Sequence, residues 1–246
     1  MLGILAFGDS ITHGGGELQW GVAMQPWALW VARALGLPYS PQAVDGATIT
    51  TLLDAQIPAF ARRAVNPEGP FDVGCVYIGT NDVRGPDWDL GSYEEGLRTA
   101  LAFVAARCER VVTANVPVDL GRPRAGAAVH EANAAIERAA RESGALLVDL
   151  RGFSGRRVLM ADHVHPTAFG QIAIGERALA LLAANGLPPR VAPSELIVYA
   201  TTPVRRLRGD LTYVYRHAKV SARALAPGLS LRRLRRQLPA TPGAGE

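Results

Sequence analysis

Three short strings fall in order along the chain: Gly8-Asp9-Ser10-Ile11-Thr12, Gly79-Thr80-Asn81-Asp82 and Asp162-His163-Val164-His165-Pro166. Together they hold a serine, a side-chain amide and a carboxylate with a histidine, the parts an acyl-transfer site needs. Serine is a weak nucleophile at its own pKa and works only beside a base. Ser10 is the candidate nucleophile, because it follows a short buried strand on a turn that can point its hydroxyl out of a sheet edge. His165 is the candidate base. Asp162, three residues earlier, is near enough in a tight turn to hold the imidazole by its Nδ1 proton and to stabilise the imidazolium. His163 carries the same ring, but its adjacency to Asp162 gives poorer geometry, so it reads as a supporting residue or a decoy.

A tetrahedral intermediate also needs donors aimed at its oxyanion, each contributing roughly 3 kcal/mol. The Asn81 side chain and the backbone amides of Ser10 and Gly46 suit that task. Each residue alone has a plainer reading: a turn serine, a turn-forming asparagine, a loop glycine. Asp9 reads as structural, bonding local backbone amides. Trp20 and Met24, on the glycine-rich stretch after Thr12, are candidates to line a substrate pocket or to pack beneath that loop. Arg84 is a candidate contact for an anionic substrate group or simply a surface arginine.

What must position these residues is an alternation of short apolar runs with helical stretches. Leu2–Phe7, Tyr39–Val44, Val73–Ile78, Arg110–Val116 and Leu146–Leu150 read as strands. Helices are predicted over Pro26–Leu35, Thr48–Arg63 (despite Pro58), Ser92–Arg107, Ala128–Ser143 and Thr167–Asn185. Ser92 followed by Glu95 suggests a capping box at the third of these. Such an alternation, with continuous apolar strands, argues for a parallel sheet covered by helices on both faces. Sites in these sheets form at the carboxyl ends of the strands. Ser10 follows strand one, Gly46 strand two and Asn81 strand three, so all three fall on one edge.

These strings resemble the SGNH, or GDSL-type, hydrolase family of esterases and lipases. GDSIT matches the family's first block with Ser10 as nucleophile; Gly79-Thr80-Asn81-Asp82 matches the G-x-N-D block with Asn81 as an oxyanion donor. Asp162-His163-Val164-His165 matches D-x-x-H, which implies that Asp162 orients and His165 acts as base. Asp45-Gly46-Ala47-Thr48 stands where the family's glycine block falls, in less distinctive surroundings. The resemblance spans about residues 1–187. It implies a flavodoxin-like three-layer α/β/α sandwich with a five-stranded parallel sheet, and a two-step acyl transfer that uses no metal or organic cofactor. The G-x-S-x-G elbow is lacking around Ser10, which disfavours the α/β-hydrolase fold.

Composition separates a body from a tail. The 246 residues are 48% hydrophobic and 20% charged, as in globular proteins. Cys75 and Cys108 lie in or beside apolar runs and read as reduced packing residues, without metal-ligand spacing. The opening apolar run is too short for a signal peptide and no later run is long enough to span a bilayer, so a cytoplasmic location is expected. Residues 1–189 are expected to form the hydrolase domain, and 190–246 a basic, helical extension with a disordered end beyond Pro239. The extension holds eleven Lys and Arg against three acidic residues, +8, whereas the body balances at −4. Apolar residues recur at helical spacing over 211–225, and leucines alternate with arginine pairs over 231–238. Residues 205–236 therefore suit an anionic membrane surface or an acidic partner, and the plainer reading of 194–225 is a helical arm packed on the body. No base-reading or stacking module is present, so no specific nucleic acid is expected.

The leading expectation is a serine hydrolase acting on a small-molecule carboxylic ester, with a small acyl group or a lipid-like substrate. An acyltransferase using the same acyl-enzyme stands beside it. A different class is a membrane- or partner-docking protein in which the basic tail carries the function.

Overall fold

Five apolar segments pair side by side into one all-parallel sheet, in the order β2-β1-β3-β4-β5. The computed structural model describes residues 2–15, 22, 24–121, 124–197 and 202–225. The strands are β1 (Ile4–Gly8), β2 (Tyr39–Pro41), β3 (Phe71–Tyr77), β4 (Cys108–Ala114) and β5 (Leu146–Val148). Register sets Ile4 opposite Tyr39 on one side and Val73 on the other, with Val73 against Arg110 and Val112 against Leu146. Parallel neighbours need crossovers, and the helices between strands supply them.

The strands are apolar on both faces because both are covered. Leu5, Phe7, Val76 and Ile78 pack with Leu52, Phe60, Leu97 and Ile136 from α4 (Ile57–Arg63), α5 (Leu90–Ala105), α6 (Ala127–Ser143) and the turns before α4. Ile4, Ala6, Val73 and Cys75 pack on the other face with Trp27, Val31, Ile174 and Leu179 from α2 (Trp27–Leu35) and α7 (Ala168–Ala184). The result is a three-layer α/β/α sandwich with the flavodoxin-like strand order. Both cysteines are free and buried within it.

Several predicted elements differ in detail. The helix expected over Thr48–Arg63 is α3 (Ile49–Thr51), a π-helical turn (Leu52–Gln56) and α4. Pro58 lacks an N–H, and the wide turn just ahead of it lets the helix restart with that proline in its first turn. The cap of α5 is Asp89, whose carboxylate accepts from the Ser92 N–H at 2.8 Å. Ser92 lies inside the first turn, because the charged acceptor three residues earlier starts the helix sooner. Strand β2 ends at Pro41, although Gln42 and Val44 go on donating to the Ala6 and Gly8 carbonyls.

The chain beyond Pro189 begins by packing on the body. The Arg190 N–H donates to the Ala34 carbonyl, and the 3-10 turn Pro193–Leu196 brings Leu196 against Trp30 and Ile172. Helix α8 (Pro203–Leu225) follows. No helix among the described residues is long and apolar enough to cross a membrane.

Candidate active site

The carboxyl end of β1 is shaped by Gly8. Its φ of +145° lies where side-chain-bearing residues rarely go, and a Cβ there would collide with the Tyr77 carbonyl oxygen. Asp9 then caps a four-residue helix, α1 (Ser10–His13), accepting from the Ile11 N–H at 2.9 Å. Ser10 takes the first position of α1, so its N–H precedes the first intrahelical bond. Residues far away in sequence fix this short helix. Gln171 of α7 donates to the Ile11 carbonyl at 2.9 Å, Trp27 Nε1 donates to Thr12 Oγ1 at 3.1 Å, and the Gln56 amide bonds both the N–H and the carbonyl of Gly8.

The other partner arrives on the loop before α7. Leu159 bridges Pro166, the Met160 N–H donates to the His165 carbonyl, and Thr167 caps α7 through the Gly170 N–H. Within this pinned loop Asp162 Oδ1 accepts from the Val164 and His165 N–H groups at 2.9 and 3.1 Å. Its Oδ2 lies 2.7 Å from His165 Nδ1, and His165 Nε2 lies 2.9 Å from Ser10 Oγ. The hydroxyl, imidazole and carboxylate thus form one continuous hydrogen-bonded row.

Charge follows geometry. Burial pushes the Asp162 carboxyl up, but its bonds to the His165 ring and to the two backbone amides outweigh that and hold it below the usual range. His165 is raised from its ordinary value, first by the hydrogen bond to Asp162, against its own burial; the charge of Asp9 adds to the rise and that of Arg84 opposes it. Asp9 is fully buried, and desolvation pushes it up to about 7 in spite of its bond to Ile11.

Asn81 and Gly46 are brought to the same edge. The Asn81 Nδ2 donates to the Ala47 carbonyl at 2.9 Å, and Asp82 Oδ1 accepts from the Ile49 N–H at 2.9 Å, so the turn after β3 clamps the segment after β2. That segment lies beside α1: the Val44 N–H donates to the Gly8 carbonyl at 3.1 Å and Asp45 Oδ1 meets His13 Nδ1 at 2.8 Å. Among the described residues, the N–H groups of Ser10 and Gly46 and the second N–H of Asn81 donate to no protein acceptor. Three donors on this edge of the sheet are therefore uncommitted.

The pocket candidates fare differently. Trp20 lies outside the described residues. Met24 is half-buried just ahead of α2. Arg84 is exposed, yet close enough for its charge to act on His165. Gly15, on the glycine-rich stretch after Thr12, lies against the row: a Cβ on it would stand 3.0 Å from Ser10 Cβ and 3.3 Å from the His165 ring. His163 forms a second pair, its Nδ1 3.0 Å from Asp119 Oδ2. Its φ of +56° is the one positive value among the described non-glycine residues.

A parallel α/β sandwich on the flavodoxin-like plan thus carries a serine, a histidine and a carboxylate in one hydrogen-bonded row. The model of the GDSL-like lipase/acylhydrolase family matches residues 6–172, and the chain belongs to that family. Its fold is shared with a lipolytic G-D-S-L family member from Veillonella parvula DSM 2008, at 21% identity and TM-score 0.59, over 74% of this chain and 99% of that one. A catalytic mutant of an acetylxylan esterase from Geobacillus stearothermophilus superposes at TM-score 0.56 and 19% identity, over 73% and 93% of the two chains. An α/β hydrolase from the metagenome of Lake Arreo, Spain, gives 0.54 and 22%, over 74% and 94%. No curated protein matches the chain. Family membership makes the protein an ester hydrolase.

Proposed function

We propose that the chain hydrolyses carboxylic esters of small acyl or lipid-like character through an acyl-enzyme on Ser10. The reading rests above all on the row Ser10 Oγ–His165 Nε2–His165 Nδ1–Asp162 Oδ2, at 2.9 and 2.7 Å. Ser10 Oγ attacks the ester carbonyl while His165 Nε2 takes its proton, and Asp162 holds the resulting imidazolium. The oxyanion forms against the N–H groups of Ser10 and Gly46 and the free N–H of Asn81. His165 returns the proton to the leaving alkoxide; water, activated by the same ring, then releases the acid and frees Ser10. Arg84, exposed and with its charge acting on His165, would meet an anionic group of the substrate.

Supporting the substrate class is the acetylxylan esterase among the structural relatives, together with the family's lipase and acylhydrolase character. The test is turnover of nitrophenyl esters of increasing acyl length by the purified protein beside Ser10→Ala. Hydrolysis by the natural chain alone supports the reading, and equal turnover by the variant overturns it.

A further inference from the structure

Helix α8 sits on the enzyme by the wrong side for a helix seeking burial. Asp210 Oδ1 meets Arg156 Nη1 at 3.3 Å, and the His217 ring stacks on Tyr213 and lies 5.9 Å from the ring of His163. These contacts anchor α8 to the 156–163 stretch, which leads into the loop that carries His165. The half-buried residues of the helix are Gly209, Asp210, Thr212, Tyr213 and Val220, a mostly polar or neutral set.

At about 100° per residue, Val204, Leu207, Leu211, Val214 and Tyr215 fall together on the opposite side. They are 75, 62, 63, 59 and 66% exposed, whereas the large apolar side chains elsewhere among the described residues are buried or half-buried, apart from Val44, Val65 and Val118. The stripe is bordered by Arg205, Arg208 and Lys219, all exposed. Over 203–225 six basic residues face the single acid Asp210, and that acid is turned toward the body.

We propose that α8 is an interfacial helix that docks the enzyme on an anionic lipid bilayer. An apolar stripe bordered by cations is the pattern that lies in the headgroup plane, with the stripe in the acyl boundary and the cations on lipid phosphates. At 23 residues the helix is about 35 Å long, ample for lying flat. Its attachment beside the His165 loop brings that side of the candidate site toward the lipid, so ester substrates are drawn from the membrane. That consequence rests on the ester-hydrolase reading, whereas docking itself does not.

The experiment is flotation of the full chain with vesicles of phosphatidylcholine alone or with about a third phosphatidylglycerol, comparing the natural protein with Leu207→Asp/Leu211→Asp. Both positions are exposed, so the body keeps its fold, and turnover of a water-soluble nitrophenyl ester reports this separately. The proposal predicts flotation with the anionic vesicles only, a loss of at least tenfold in the double variant, release by salt, and unchanged soluble-ester turnover. Failure of the natural chain to float, or equal flotation of the variant, overturns it. Two further results also overturn it: a dimer abolished by the variant without vesicle binding, which assigns the stripe to a second copy, and binding to polyglutamate alone, which assigns the cations to an acidic partner. Soluble-ester turnover without flotation would leave the hydrolase reading standing and remove only the docking.

Discussion

The Asn81 side-chain amide donates one N–H to the Ala47 carbonyl at 2.9 Å and keeps the other uncommitted among the described residues. One residue thereby braces the segment that carries Gly46, and its second N–H is the donor proposed for the oxyanion. Two variants probe this corner of the site. Asn81→Ala removes both the brace and the donor and is expected to lower kcat by about 10²–10³-fold with KM little changed. Gly46→Ala is expected to cost less: its φ of +73° strains a side chain, but no atom lies within 4 Å of the added methyl. Steady-state kinetics on a soluble ester checks both, and a pure KM effect in Asn81→Ala would argue against the oxyanion role.

The pH dependence of kcat/KM follows from His165. As the proposed base, His165 must be neutral to accept the Ser10 proton, and its pKa is raised, chiefly by the bond to Asp162. Activity is therefore expected to fall as the pH drops through a limb lying above the ordinary histidine value. Asp162→Asn removes the largest upward contribution, so the limb moves to lower pH while the rate drops by roughly 10³–10⁴-fold. Arg84→Ala removes a cation that holds the ring down, so its limb moves to higher pH. Limbs that stay in place in both variants would contradict the assignment of His165.

Asp9 predicts a stability effect of opposite kind. Its carboxyl is raised to about 7 by burial, so the folded state binds more protons than the unfolded chain between the ordinary carboxylate range and pH 7. Its favourable contribution is complete at low pH and is lost as pH rises through that window. Asp9→Asn keeps the side-chain oxygen for the Ile11 N–H and cannot ionise. Its stability relative to the natural chain is expected to rise from pH 4 to pH 8 by up to roughly 4 kcal/mol, the equivalent of a three-unit shift. Urea denaturation at the two pH values measures this, and parallel curves would refute it.

Gly15 tests how tightly the row is held. The Cβ of an alanine there would press on Ser10 at 3.0 Å and on the His165 ring at 3.3 Å, and valine would press harder. Gly15→Val is expected to reduce kcat by at least about 10²-fold, the cost of an ångström-scale misplacement. Thermal stability should change little by comparison, because the residue lies outside the packed core. Equal losses of stability and activity would point to a folding defect.

Much of this arrangement is legible in the chain because its determinants are local. Ser10, Asp162 and His165 stand in short strings whose turn chemistry and flanking strands can be read directly, and the parallel sheet follows from apolar runs buried on both faces. What is not legible depends on distant partners. Gln56 and Gln171 are single polar residues in helical stretches, and only the fold reveals that they clasp Gly8 and Ile11. Asn115 and Asn133 likewise bond the Leu150 and Val116 backbone across the strand ends, with no local pattern to mark them. Periodicity in 211–225 identifies an amphipathic helix, but not which side meets the enzyme. The ion pair of Asp210 with Arg156 decides that.

The most direct test of the central claim is covalent labelling with a fluorophosphonate, mapped by peptide mass spectrometry. The account predicts one adduct, on Ser10, absent in Ser10→Ala and formed far more slowly in His165→Ala. A label carried by another residue, or one that survives Ser10→Ala, would contradict it.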